Sequence, residues 1–197
     1  MSARARLSAS ERRLDLVETA IRLFTESSYR GTTTAEIARA AGVSEPILYR
    51  HFESKRDLYL AALDHVWEKA RAAWERTLSS APDAGAAVEA IGRQHASVRS
   101  AKLQLAELWV QALTEAADDV ELRKHLRRHM REVHDFTADM IRRGQEQGVL
   151  CADRDANAEA WLFLAGGLLG VVGRRLGLID EAELTAIRDS RFAWLRA

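Results

Sequence analysis

Residues 34–52, TAEIARAAGVSEPILYRHF, constrain the fold more than any other stretch of the chain. Ile37, Ala38, Ala41, Val43, Leu48 and Phe52 are apolar at spacings that suit two short helices, with Gly42 between them. Where two helices cross closely, a small side chain has to sit at the crossing, here Ala38. A glycine has to make the turn, here Gly42, and the other apolar positions seal the pair. By spacing alone the same pattern also fits an ordinary helix hairpin inside a bundle. Two classes therefore stay open: a DNA-binding head, and a helical module that never touches nucleic acid.

The rest of the chain is helical as well. Only two prolines break it, and Ala, Leu, Glu and Arg are abundant. Leu14, Val17, Ile21 and Phe24 recur at helical period with Ala20 on the same stripe, and Gly31 is placed to take a left-handed stop after them. Thr33 stands three residues before Glu36, the spacing of a capping box. Ser54 with Asp57, Asp118 with Glu121, and Asp180 with Glu183 repeat that spacing. These marks predict helices near 10–27, 34–41, 45–52, 55–79, 84–99, 101–117, 119–146, 156–176 and 181–195. Apolar residues never alternate over a useful length, so the fold class is all-α with about nine helices. The expected division is a head at 1–52, a connecting helix at 53–79 and a body at 80–197.

A chain of 197 residues buries about 70% of its open surface without a staple. The single cysteine, Cys151, excludes an internal disulfide framework and points to a reducing compartment. The uncharged run at 160–173 is shorter than the roughly 20 residues a membrane span needs, and the N-terminus has no signal-peptide core. A cytoplasmic protein with no membrane partner is the expectation. The balance of 29 Lys and Arg against 29 Asp and Glu excludes a generic polycation. It conceals an asymmetry, because residues 1–56 carry ten cations against seven anions and the remainder 19 against 22. The basic arm containing Arg4, Arg6, Arg12 and Arg13 adds to the footprint of the head.

The stretch LFTESSYRGTTTAEIARAAGVSEPILYRHFESKRDLYLAAL, residues 23–63, resembles the DNA-binding head of the TetR family of transcriptional repressors. Phe24, Tyr29-Arg30-Gly31, the threonines, Ile37-Ala38, Ala41-Gly42-Val43-Ser44, Leu48-Tyr49, Phe52 and Ser54-Lys55 carry the resemblance. It implies a three-helix helix-turn-helix head on a helical ligand-binding and dimerisation body. Thr33 and Thr34 would then hold a phosphate where the second helix opens. Tyr49 and His51 would donate to phosphates from the recognition helix, and Lys55 from the start of the fourth helix. Ser44, Glu45, Pro46 and Ile47 would face the major groove. The sequence departs from the common pattern at Pro46 and Ile47, where an apolar pair favours contact with a thymine methyl. Glu45 could accept from cytosine N4, and Ala35 has no polar side chain to read with.

In the body, the segment 156–176 is apolar around most of its circumference, with Trp161, Leu162, Ala165, Leu168, Leu169, Val172 and Leu176. Gly166, Gly170 and Gly173 leave room for a close neighbour. The last helix adds Leu184, Ile187 and Trp194, interrupted by Arg191. The pair reads either as a four-helix homodimer interface, which the resemblance also implies, or as filling for the monomer core. The resemblance further implies a cavity for a small effector. Trp109, Phe136 and Met140 are the candidate contacts, and an apolar or amphipathic ligand is the implied class. His125 and His129 stand at i and i+4 among cations, which fits a solvated basic face better than a metal site. No phosphate loop, zinc cysteine pair or nucleophile elbow is present, so neither an enzyme nor a cofactor is expected. The expected partners are a double-stranded DNA operator, a second copy of the chain and the effector.

Overall fold

The computed structural model describes residues 7–93 and 101–196, and among these every regular element is a helix. The helices are α1 (Ala9–Glu26), α2 (Thr34–Ala40), α3 (Glu45–Tyr49), α4 (Lys55–Ser80), α5 (Ala84–Arg93), α6 (Ala101–Glu115), α7 (Val120–Glu146), α8 (Ala156–Leu176) and α9 (Glu181–Arg196). The all-helical expectation holds. Arg4 and Arg6 of the arm, and residues 94–99 of the helix expected over 84–99, lie outside the described residues. The chain forms two compact units, Met1–His65 and Val66–Ala197, and α4 runs across the boundary.

Sequence-coded caps start several helices. Ser8 and Glu11 form a capping box at α1, as Thr33 and Glu36 do at α2. Asp180 and Glu183 exchange the same reciprocal bonds at the start of α9. At α7 the cap is Asp119 rather than Asp118, and its Oδ1 accepts from the Glu121 and Leu122 amides at 3.0 Å. At α2 the Glu36 pKa is lowered, first by the Thr33 backbone N–H and then by the Thr33 hydroxyl. That contribution is fully present above the ordinary Glu pKa and is lost as pH falls through the lowered folded value. Amide protection factors at the start of α2 should therefore fall on acidification by more than those elsewhere in the first unit. Glu36→Gln should abolish the pH-dependent part, and an identical profile in that variant would refute the assignment.

The first unit is centred on Leu16, Ala20, Phe24, Ile37, Leu48, Phe52, Leu58 and Tyr59, all buried. Phe24, Tyr29 and Tyr59 pack edge-on or tilted, with Tyr59 under 5 Å from both partners. Leu14, expected on the buried stripe, is exposed, and Leu16 fills the core in its place. Gly31 does not adopt a positive φ. Its value is space, since a Cβ there would stand 2.9 Å from both the Ser27 and Ser28 hydroxyls.

In the second unit, α7 packs on α5, α6 and α8, while α9 packs on α5. That last approach depends on Gly92, where any Cβ would enter the Phe192 ring. Helix α8 is not buried on all sides. Ala160, Leu164, Gly167 and Val171 face inward, whereas Trp161, Leu162, Leu169, Val172 and Leu176 remain exposed. Helix α8 has 21 residues, and an 18-residue window of it has a mean hydropathy of 1.3, so it is long and apolar enough to cross a bilayer, beyond what its uncharged run indicated.

Candidate nucleic-acid interface

The α2–turn–α3 pair is built as its sequence requires. Ala38 is buried at the crossing, and Gly42 adopts φ 70°, a left-handed turn that a Cβ would oppose. The Val43 amide closes the turn on the Ala38 carbonyl at 2.9 Å. Ser44 caps α3 without using its hydroxyl, and Pro46 occupies the first turn, where its missing N–H costs nothing. Ser44 and Pro46 are exposed and Ile47 is half-buried, so the start of α3 offers a short, largely apolar edge to solvent.

A chain of three side chains ties this edge to α2. The Thr34 hydroxyl donates to Glu45 Oε1 at 2.5 Å. Since Thr34 has a single proton, the 3.1 Å contact between its Oγ1 and the Tyr49 hydroxyl is a bond donated by Tyr49. Thr34 is buried, Glu45 half-buried and Tyr49 48% exposed. Thr33, by contrast, spends its hydroxyl on the cap, accepting from the Glu36 amide and donating to Glu36 Oε2.

Lys55 holds the chain just before α2. Its Nζ donates to the carbonyls of Tyr29 at 2.9 Å and Thr32 at 3.1 Å, and lies 4.5 Å above the centre of the Tyr29 ring. One of its three protons remains. Arg13 closes the unit in a similar way: its guanidinium lies 4.2 Å above the Phe52 ring and donates to the His51 carbonyl at 3.3 Å. By sequence Arg13 belongs with the basic arm. Arg39 and Arg50, exposed in the last turn of α2 and at the end of α3, are candidate phosphate contacts that the motif reading passed over.

In the second unit, Trp109 and Met140 are buried and Phe136 is half-buried. The Trp109 Nε1–H donates to His129 Nδ1 at 3.1 Å, and Phe136 lies 5.8 Å from Trp67 and 6.0 Å from Trp74. His129 is thus a buried acceptor, not part of a solvated basic face. Its burial follows from the α7 stripe, which carries it inward with Leu126 and Val133. An open groove of about 950 Å³ runs between α8 and α9, lined by Leu162, Gly166, Leu169, Gly170, Ile187 and Trp194. Trp109, Phe136 and Met140 take no part in it. At the groove, buried Glu159 pairs with Arg191. Burial, and then the charge of Arg154, lowers the Arg191 pKa. The Arg154 guanidinium covers the Trp194 ring at 3.6 Å. Trp161 packs at a tilt on His134 of α7, with ring centres 4.4 Å apart, and Gly173 is filled from within the chain by Ile179 at 3.0 Å.

The geometry of the first unit defines a helix-turn-helix protein of the kind that lays a recognition helix in a DNA groove. Residues 16–62 match the family of bacterial regulatory proteins described as tetR. The HTH-type transcriptional regulator TtgR of Pseudomonas putida is 30% identical over 93% of this chain and 89% of its own length. The HTH-type transcriptional activator FasR of Mycolicibacterium smegmatis is 42% identical over 89 residues, 43% of this chain and 41% of that protein. A TetR-family transcriptional regulator from Rhodococcus sp. has the same fold, with a TM-score of 0.80 at 23% identity over 95% of this chain and all of that one. The chain belongs to the TetR family of DNA-binding transcriptional regulators.

Proposed function

We propose that the chain is a homodimeric, cytoplasmic repressor that binds an inverted-repeat operator and is released by a small apolar or amphipathic ligand. The observation that carries the DNA part is the α2–α3 pair, whose exposed edge at Ser44 and Pro46 is flanked by hydroxyl and cationic donors. In this reading Ser44, Pro46 and Ile47 meet base edges, with Glu45 beside them on the same edge. Thr34, Tyr49, His51 and the remaining proton of Lys55 meet phosphates, while Thr33 keeps both its amide and its hydroxyl proton on the Glu36 cap. Residues 1–52 act as the head, 53–79 as the connecting helix, and 80–197 as the effector and dimerisation domain.

The apolar groove and exposed face of α8 and α9 support a second copy as the partner, through Trp161, Gly166, Leu169, Gly170, Ile187 and Trp194, whereas the space at Gly173 is taken by Ile179 of the same chain. The buried aromatic cluster around Trp109, Phe136 and Met140 is where the ligand would enter, by displacing side chains that now fill the space. Ligand binding would favour a head spacing that misses the operator, and it acts only through unequal affinity for the two states. An activator is the second reading, favoured by the likeness of the head to FasR.

Selection of genomic DNA with the purified protein tests the reading. The expected product is an inverted repeat whose half-sites lie about 10–10.5 base pairs, or a multiple of that, apart. Recovery of no enriched sequence would refute it. Transcription from the recovered promoter, with and without the protein, decides between repression and activation.

A further inference from the structure

We infer that Glu45 is an internal competitor for the DNA phosphate, an inference that rests on the proposed phosphate roles of Thr34 and Tyr49. In the free head both hydroxyl protons are already committed. Tyr49 donates to Thr34, and Thr34 donates to the Glu45 carboxylate, so the series ends on an anion, as it would on a phosphate oxygen. Among the described residues Thr34 is the only polar partner of Glu45, and no cation there forms an ion pair with it. The recognition helix is only five residues long, and this bridge fixes its first turn to the buried start of α2.

The exchange on binding follows from the proton inventory. Neither hydroxyl has a second proton to offer, so a phosphate can engage Tyr49 only by taking the proton now given to Thr34. It can engage Thr34 only by taking the proton now given to Glu45. Each exchange swaps one charge-assisted or neutral bond for another, and it leaves Glu45 to be hydrated beside the incoming strand. That cost is independent of base sequence, because phosphates are the same everywhere. Glu45 therefore lowers affinity for operator and for unrelated duplex by a similar factor. It sets how much base-edge contact from Ser44, Pro46 and Ile47 is required before the head stays bound.

A double-mutant cycle on the full-length protein tests this, with the duplex recovered by genomic selection and a scrambled duplex of equal length as probes. Affinity of the unmodified chain is measured first, and absence of operator binding there would refute the DNA-binding reading, and the role of Glu45 with it. Given binding, Glu45→Gln should tighten both duplexes by about five- to tenfold, the scale of the difference between a charge-assisted and a neutral hydrogen bond. Glu45→Ala should act in the same direction, which guards against a peculiarity of the amide. In a Thr34→Val, Tyr49→Phe background, where no hydroxyl is left to compete for, most of that gain should vanish. An equal gain in both backgrounds would mean simple repulsion between Glu45 and the phosphates and would overturn the competition. Weaker binding by Glu45→Gln, confined to the operator, would overturn it in favour of base reading. Circular dichroism of each variant shows whether the head remains folded, and loss of helicity in the Glu45 variants would assign the residue a folding role instead.

Discussion

Lys55→Ala is expected to abolish DNA retention by loosening the head itself. Its ammonium serves the Tyr29 and Thr32 carbonyls and covers the Tyr29 ring, which packs against Tyr59 in the core. Hydrogen bonds from a charged donor are worth about 1.5–3 kcal/mol each, and the carbonyls left behind are only partly hydrated. Two such bonds, discounted because Lys55 is only half-buried, leave a loss of about 2–4 kcal/mol from the first unit, a large fraction of what a small unit has. Tyr49→Phe removes one half-exposed hydroxyl and should leave stability within about 1 kcal/mol. Its effect on DNA should be a five- to tenfold loss on the scale of one hydrogen bond. Urea unfolding followed by head-specific amide exchange, together with fluorescence anisotropy on the selected duplex, separates the two. If Lys55→Ala leaves unfolding unchanged while DNA binding collapses, Lys55 is a phosphate contact first and a structural clamp second. Combining the two substitutions would hide this distinction, which is why each belongs in a separate protein.

The parts of this architecture that were legible in the chain are those encoded locally. Thr33 and Glu36, or Asp180 and Glu183, meet because they lie three residues apart, and that spacing is visible in one dimension. Gly42 is read the same way, since its turn needs a backbone that only glycine adopts cheaply. Contacts between distant positions follow a different physics. Arg13 reaches 38 residues along the chain to the His51 carbonyl, and Lys55 reaches back 23 and 26 residues, so nothing adjacent to either announces a partner. Composition shows a cation but not the carbonyl or ring beneath it. His129 was misplaced for a related reason. Its neighbours Arg127 and Arg128 are exposed, but helical period turns His129 toward Trp109, and position in the stripe outweighs the character of adjacent residues. Leu14 and Leu16 differ by the same rotation in the opposite sense.

Gly166→Leu is expected to disrupt the dimer while leaving the isolated chain sound, and it separates the two readings of α8. A Cβ at Gly166 meets nothing within 4 Å, so a larger side chain has open space in the single chain. Replacing glycine inside a helix even favours folding, by up to about 1 kcal/mol. If α8 served only the monomer core, the variant would be neutral or slightly stabilising, and self-association would not change. In the dimer reading that space belongs to the partner's helix, and an isologous interface meets the intrusion twice. Ile187→Glu, on the exposed side of α9, makes the same point through charge. Removing an unpaired carboxylate from water on each side costs several kcal/mol, so dimer dissociation should rise at least about 100-fold. Sedimentation velocity reads the oligomer directly, and operator binding should fall with it because one head holds only one half-site. Gly173 supplies the contrast: Ile179 of the same chain already occupies its surroundings at 3.0 Å. A side chain there should therefore lower the melting temperature before it affects association. A Gly166→Leu protein that remains dimeric at micromolar concentration would remove the α8–α9 face as the interface, and with it the geometry that spaces two recognition helices on one operator.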